Sequence, residues 1–466
     1  MEKLQHLFTL QKDSFLSTDA PNRSISYRIK KLKALKNWII NHREDICRAI
    51  NDDLQRHYSE TEVLEIKPTL GEINYTIKRI RDWTDAKPIG RTLALLTTSS
   101  KIIPKPKGIV LIISPWNFPF LLAIQPLVSA IASGNHIIIK PSEFSHHTSA
   151  LINKMIGELF DECEVSVVEG GVDTSKALLQ LPFNHIFFTG SSKIGQQVMR
   201  NAAEHLSSIT LELGGQNAVV VDETASIKDA AKRIIWGKLI NAGQSCVAPN
   251  HIFVHKKNFS SFCEALKESI AFYYSDCVGC SPFYGRIINE RHYNRITQLK
   301  ETYYTSNKTI IYNGEFFQDD LLIEPFIYES TMDDPILKEE IFGPLLPIIP
   351  YKDFNEVIQH ISKQPISLTA YLFSKSKRHQ KNFERYINAG GIAINETTIH
   401  FAHPGLPFGG LNQSGMGKTH GYYGFLEFSN LQSVLKQRFN WSTIDLIRPP
   451  YHFKKQRFIR FAARWF

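Results

Sequence analysis

Residues 107–143 read KGIVLIISPWNFPFLLAIQPLVSAIASGNHIIIKPSE, and no charged side chain lies between Lys107 and Lys140. An uncharged stretch of that length imitates a membrane span. Its punctuation excludes one. Pro115, Asn117, Pro119, Gln125, Pro126 and Asn135 divide it into a β-branched run Ile109–Ile113, a turn, a helix-length apolar segment Phe118–Ala132 and a second run His136–Ile139. This pattern predicts a buried βαβ unit.

Outward from this unit, short Val/Ile-rich runs alternate with amphipathic stretches, which predicts an α/β protein with largely parallel sheets. Strands are expected at Ser166–Val168, His185–Phe188, Ala218–Val221, Ile252–His255, Thr369–Phe373 and Gly391–Asn395. Helices are expected at Ile25–Asn41, Lys193–His205, Ile227–Leu239, Phe259–Phe272 and Phe354–Ile361. A chain of 466 residues that is 43% hydrophobic and 21% charged is built as a folded globular protein of two or three domains, which excludes disordered, collagen-like and coiled-coil readings. A net charge of +9 suits nucleic acid, a membrane surface or anionic ligands and does not choose among them. Glu2, Lys3, Lys12 and Asp13 interrupt the N-terminus, so no export signal is read there. The six cysteines, Cys47, Cys163, Cys246, Cys263, Cys277 and Cys280, form no spaced framework and predict free thiols in a reducing compartment.

Candidate chemistry lies in loops that come after strands. His185-Ile-Phe-Phe-Thr189-Gly190-Ser191 leads through Gly195 into a helix, either as plain punctuation or as a phosphate-facing helix N-terminus. It is not the G-x-G-x-x-G pattern. Lys140-Pro-Ser-Glu143 is either a solvated loop or a grip on ribose hydroxyls. Cys246, in Gly243-Gln-Ser-Cys246, is either an inert thiol or a nucleophile among small polar residues. Glu212, before Gly214-Gly215, is either a strand-edge carboxylate or a buried base of raised pKa. Asn117, in Pro115-Trp-Asn-Phe-Pro119, is either a turn residue or an amide facing an oxyanion. Cys277-Val-Gly-Cys280 reads as a surface connection, and His146, His147 and His292 as solvated or structural, so no metal site is expected.

In order along the chain, P-W-N-F-P, K-P-S-E, F-T-G-S, L-E-L-G-G, G-Q-x-C, E-E-I-F-G-P (Glu339–Pro344) and P-F-G-G-x-x-x-S-G (Pro407–Gly415) resemble the NAD(P)-dependent aldehyde dehydrogenase superfamily, from about Ile109 to Gly417. Tyr284-Gly-Arg286, His292 and Ser414-Gly-Met416-Gly are similar to its class three and fatty aldehyde dehydrogenase branch. The resemblance implies an α/β fold with a Rossmann-like nucleotide domain over 1–208, in which about 84–106 join a β-arm for oligomerisation. A catalytic α/β domain over 209–395, a bridging segment over 396–447 and a basic amphipathic tail over 448–466 would complete the chain. It implies Cys246 as nucleophile, Asn117 as oxyanion amide and Glu212 as the base for thioester hydrolysis. Lys140 and Glu143 would hold the adenosine ribose, and Gly190, Ser191 and Gly195 would form the turn near the pyrophosphate. Glu340, Phe342, Trp116 and Leu213 would surround the nicotinamide side, and Phe118, Leu121 and Leu122 would wall the substrate.

The same resemblance implies an enzyme that oxidises an aldehyde, medium- to long-chain aliphatic or aromatic, to the acid. NAD is the expected cofactor, with NADP tolerated, and the protein is expected to be a cytoplasmic homodimer that binds no nucleic acid. Two rivals are a dead scaffold that binds a membrane or partner, against which Asn117, Glu212 and Cys246 are all present, and an acylating enzyme using coenzyme A, against which Glu212 argues. Gln216 replaces the family's usual Lys, removing a positive charge near Glu212, and Asn412 replaces a usual Gly in a loop that needs positive φ. In the tail, Phe458, Phe461, Ala462 and Trp465 share one helical side, flanked by Arg457, Arg460 and Arg464. That side is read either as packing on the dimer or as peripheral contact at the inner membrane face.

Overall fold

The computed structural model describes residues 1–463 except Ser306. Ile109–Ile113 form a strand with every side chain buried, as a strand covered on both faces requires. The chain turns through the proline-bracketed Trp116–Phe120 and enters the helix Leu121–Ser133, which is buried except at Leu122. That helix stops at Gly134, φ +89°, where a Cβ would lie 2.5 Å from the Arg28 guanidinium. The next strand, His136–Lys140, pairs in parallel with Ile109–Ile113. The uncharged stretch is therefore the βαβ unit its pattern predicts, and no helix among the described residues is long and apolar enough to cross a membrane.

Two sheets dominate. The first runs Gly415–Met416, Ser208–Glu212, His185–Thr189, Ile109–Ile113, His136–Lys140, Val165–Val167, parallel except for its first, two-residue strand. The second runs Ile310–Asn313, Phe326–Glu329, Leu345–Tyr351, His251–His255, Ala218–Val221, Thr369–Phe373, Gly391–Ile394, again parallel except at its first strand. A third, antiparallel sheet joins Lys87–Ile89, Thr98–Pro106 and Ser429–Gln437. The helices Ile25–Asn41, Arg43–Leu54 and Lys67–Thr84 contribute to the core around the first sheet and the helix Leu121–Ser133. Ala218–Val221, Thr369–Phe373, Ile25–Asn41 and Ile227–Leu239 fall where their apolar patterns place them.

One of these expectations needs correction. Cys277 and Cys280 are exposed yet joined by a disulfide, so only Cys47, Cys163, Cys246 and Cys263 are free thiols. The tight turn around buried Val278, pinned where Gly279 N–H donates to Glu324 Oε1 at 2.7 Å, brings the two sulfurs together. In the tail, the helix Phe453–Ala462 buries none of its residues, and Phe453 and Phe461 are 73% and 63% exposed. Arg464 and Trp465 of the expected helical face lie outside the described residues. For the disulfide, thiol titration of protein unfolded without reductant should find the four free cysteines, and all six after reduction; six from the outset would contradict the bridge.

Candidate active site

In the first sheet the chain steps outward from Ile109–Ile113 through His136–Lys140 to Val165–Val167, then returns to the other side at His185–Thr189. A crevice opens where the order reverses, beyond the carboxyl ends of those two central strands, and this is where open α/β sheets bind ligands. One strand delivers Trp116 and Asn117 to it, the other Gly190 and Ser191.

Asn117 is buried and fixed at both ends. Its Nδ2 donates to the Gln244 carbonyl at 3.1 Å, leaving its second N–H free. Its own carbonyl accepts from Asn241 Nδ2 at 2.8 Å and from Arg56 Nη2. Arg56 has no exposed surface, pairs with Glu65, and reaches Asn241 Oδ1 at 3.2 Å through Nε. Glu65 Oε2 in turn accepts the N–H groups of Phe120 and Leu121, each at 2.9 Å, at the start of the helix Leu121–Ser133. A carboxylate there complements the positive end of the helix.

Asn241, Ala242 and Gly243 all have positive φ, turning the chain sharply before Cys246. At Gly243 a Cβ would stand 2.5 Å from the Gly343 carbonyl, so the turn requires glycine. Cys246 is partly covered and borders two cavities. One is a narrow tunnel of about 50 Å³ with walls that include Phe118, Leu121, Leu122, Phe401 and Phe408. The other is a cleft of about 280 Å³ edged by Trp116, Asn117, Gly190, Ser191, His292, Arg295, Glu340 and Phe342. Glu212 and Leu213 line both. Burial pushes the Cys246 thiol up to about 12, and the Glu340 and Glu212 carboxylates add to the rise, while the N–H groups of Cys246 and Val247 oppose it.

Glu212 ends the strand Ser208–Glu212, and both its oxygens are buried without a hydrogen-bond partner. Desolvation holds its carboxyl well above the usual range, Glu427 adds to the rise, and Lys418 pulls the other way. Gln216 turns elsewhere, donating to the Lys338 carbonyl at 2.8 Å. Asn412 adopts φ +55°, so the substitution for glycine is accommodated.

The expected cofactor residues separate into two groups. Trp116, Gly190, Ser191, Leu213, Glu340 and Phe342 border the cleft. Ser191 N-caps the helix Ser192–Glu204 with no side-chain cap bond, so the first N–H groups of that helix remain available. Phe342 holds φ +48°, with its carbonyl and that of Ile341 accepting from Arg295, and burial raises the Glu340 carboxyl to about 7. Lys140 and Glu143 pair with each other at 2.9 Å and are not among the cleft-lining residues. Gly195 is not in the turn; it lies inside the helix, where a Cβ would meet Leu213 at 2.9 Å, so its place is one of close packing. His292, read as solvated or structural, is half-buried and lines the cleft with its ring 4.8 Å from that of Trp116, and burial lowers it to about 4. Arg56, Glu65 and Lys418 carry no local signal in the sequence, since each acts across the fold, whereas Gln244 stands in the G-Q-x-C motif without its partners being marked. His292 and Arg295 share one face of the helix Glu290–Tyr303, and that i, i+3 spacing is the single mark that could have paired them.

Residues 17–434 match the Aldehyde dehydrogenase family. A 4,4'-diaponeurosporen-aldehyde dehydrogenase of Staphylococcus aureus is 41% identical over 431 residues, covering 92% of this chain and 93% of that protein. The mouse (Mus musculus) protein named "Aldehyde dehydrogenase, dimeric NADP-preferring" is 35% identical over 93% of this chain and 95% of its own. The solved structure "Substrate bound state of Staphylococcus Aureus AldH" superposes with a TM-score of 0.93 at 39% identity, over 98% of this chain and 99% of that one.

Arg56→Met should leave Glu65 buried without its partner and lower stability by about 3–5 kcal/mol in urea unfolding. Adding Glu65→Gln should recover part of the loss; no loss in the single variant would mean the pair does not hold the turn.

Proposed function

The chain belongs to the aldehyde dehydrogenase family and is an oxidoreductase of that kind, and from this premise we propose that it oxidises aldehydes with hydrocarbon tails, aliphatic of medium to long chain or aromatic, to carboxylic acids with NAD(P). The observation that carries the reading is the position of Cys246, at the junction of an apolar tunnel and a polar cleft with Glu212 facing both. The tunnel takes the tail, with Phe118, Leu121 and Leu122 in its wall. The cleft takes the nicotinamide end of the cofactor.

The donor set fits a dinucleotide. Helix N–H groups beyond Ser191 suit a pyrophosphate, and Glu340 suits ribose hydroxyls. Carboxylates at Glu212 and Glu340, beside a thiol they render hard to ionise, suit the positive charge of oxidised nicotinamide. Lys140 and Glu143 would take the adenosine ribose, where the carboxylate disfavours a 2′-phosphate. When bound, the cofactor supplies the acceptor for the hydride of the aldehyde carbon.

The chain's own groups do the rest. Cys246 gives up its thiol proton to water, and the thiolate Sγ attacks the carbonyl carbon to give a thiohemiacetal whose oxyanion is held by the free N–H of Asn117 Nδ2 and by the Cys246 backbone N–H. Oxidation leaves a thioester on Cys246. Glu212, a stronger base for its burial, takes a proton from water as the water attacks that thioester, and the acid departs. The antiparallel sheet of Lys87–Ile89, Thr98–Pro106 and Ser429–Gln437, with Leu431 and Leu435 about half exposed, would pair two copies into a homodimer. The tail helix, with exposed Phe453, Phe458 and Phe461 among Lys454, Lys455, Arg457 and Arg460, would hold this cytoplasmic protein against an anionic membrane face.

Cys246→Ser should abolish aldehyde-dependent NADH formation, whereas Cys277→Ser should retain it; full activity in the first would refute the nucleophile. Along an alkanal series kcat/KM should rise roughly three- to fourfold per methylene until the tunnel is filled, from about 0.8 kcal/mol per buried CH2. NAD should give the higher kcat/KM of the two cofactors, and a strong preference for NADP would remove Glu143 from the ribose. Deleting 448–466 should reduce sedimentation with anionic liposomes; unchanged binding would leave the tail as packing.

A further inference from the structure

We propose that Lys418 is the positioning residue for the base, keeping a cation beside Glu212 so that the carboxylate can accept a proton from water; this rests on the reading of Glu212 as that base. A carboxylate with both oxygens buried and unpartnered is driven to its neutral form, in which it can take no proton. The site needs a fixed positive charge close by.

Gly409, φ +147°, shows where that charge sits. A Cβ built on it would lie 2.8 Å from Glu212 Oε1 and 3.1 Å from Lys418 Cδ, so the carboxylate and the lysine stem converge on one glycine. Lys418 is no swinging surface lysine. Its Nζ donates to the carbonyls of Gly409 and Gly410, and its backbone N–H donates to Glu427 Oε1 at 3.1 Å.

The other groups around Glu212 do not supply the charge. Glu427, on the helix Gly421–Glu427, opposes it, although its Oε2 is engaged by Thr210 Oγ1 at 2.9 Å. His185, beyond Thr210, and His420, two residues after Lys418, are both held neutral by burial. Cys246, across the site, is an acid that only adds negative charge, and Glu340 lies beyond it. Gln216 carries no charge and turns to Lys338. Lys418 is the one cation acting on Glu212 among the described residues.

The test is the pH dependence of turnover by the full chain with NAD and an alkanal. Removing the cation makes Glu212 harder to ionise, so in Lys418→Met the acid limb of kcat should move to higher pH by about one unit, a roughly tenfold loss on that limb. Lys418→Arg should restore it. The change should fall on kcat and not on kcat/KM, which ends at acylation, and the pre-steady-state burst of NADH should persist, reporting an intact site. Combining Lys418→Met with Glu212→Gln should give no further loss. An unmoved limb, an equal shift in Lys418→Arg, or loss of the burst in Lys418→Met overturns the proposal. Full turnover in Glu212→Gln alone would instead overturn the assignment of the base.

Discussion

Arg56, a guanidinium with no exposed surface, ties together the pieces of the site. It holds the Asn117 carbonyl, the Asn241 side chain before the cysteine loop, and Glu65, which closes the first N–H groups of the helix after the Asn117 turn. It also lies 4.8 Å from the centre of the Phe118 ring, in the tunnel wall. Burying such a pair adds little net stability, because desolvation offsets most of the attraction. What it fixes is geometry: three segments distant in sequence meet only if each offers its one acceptor to the same planar donor.

The second organising constraint is the scarcity of water. Glu212, Glu340 and Cys246 are each driven toward their neutral forms by burial, and for the thiol each carboxylate adds to the effect. In this dry pocket small displacements of charge carry weight that they would lose in solvent. A carboxyl of high proton affinity and a thiol that holds its proton belong to one environment. The tunnel and the cleft meet at the same sulfur from different sides, one wall mostly apolar and the other polar.

Much of this is legible in the chain itself. The uncharged stretch between Lys107 and Lys140, with its prolines and asparagines, specifies a buried βαβ unit, because β-branched runs and turn residues act locally. The ordered motifs mark Asn117, Glu212 and Cys246 as one set, while the choice between a strand-edge and a buried Glu212 is left open by its neighbours and decided by the fold. Only the tertiary structure decided the rest. Arg56, Glu65, Gln244, Arg295 and Lys418 matter through partners that pattern and spacing do not connect to them. His292, read as solvated or structural, lines a cleft because its helix faces Trp116, and Gly195, inside the helix expected over 193–205, leaves room for Leu213 where a side chain would stand. The exposed cysteines pair because the turn between them is pinned by Glu324, a residue far along the chain. Local sequence sets which backbone states are accessible, whereas electrostatic partners and cavity walls are set by which distant segments the packed core brings within a few ångströms.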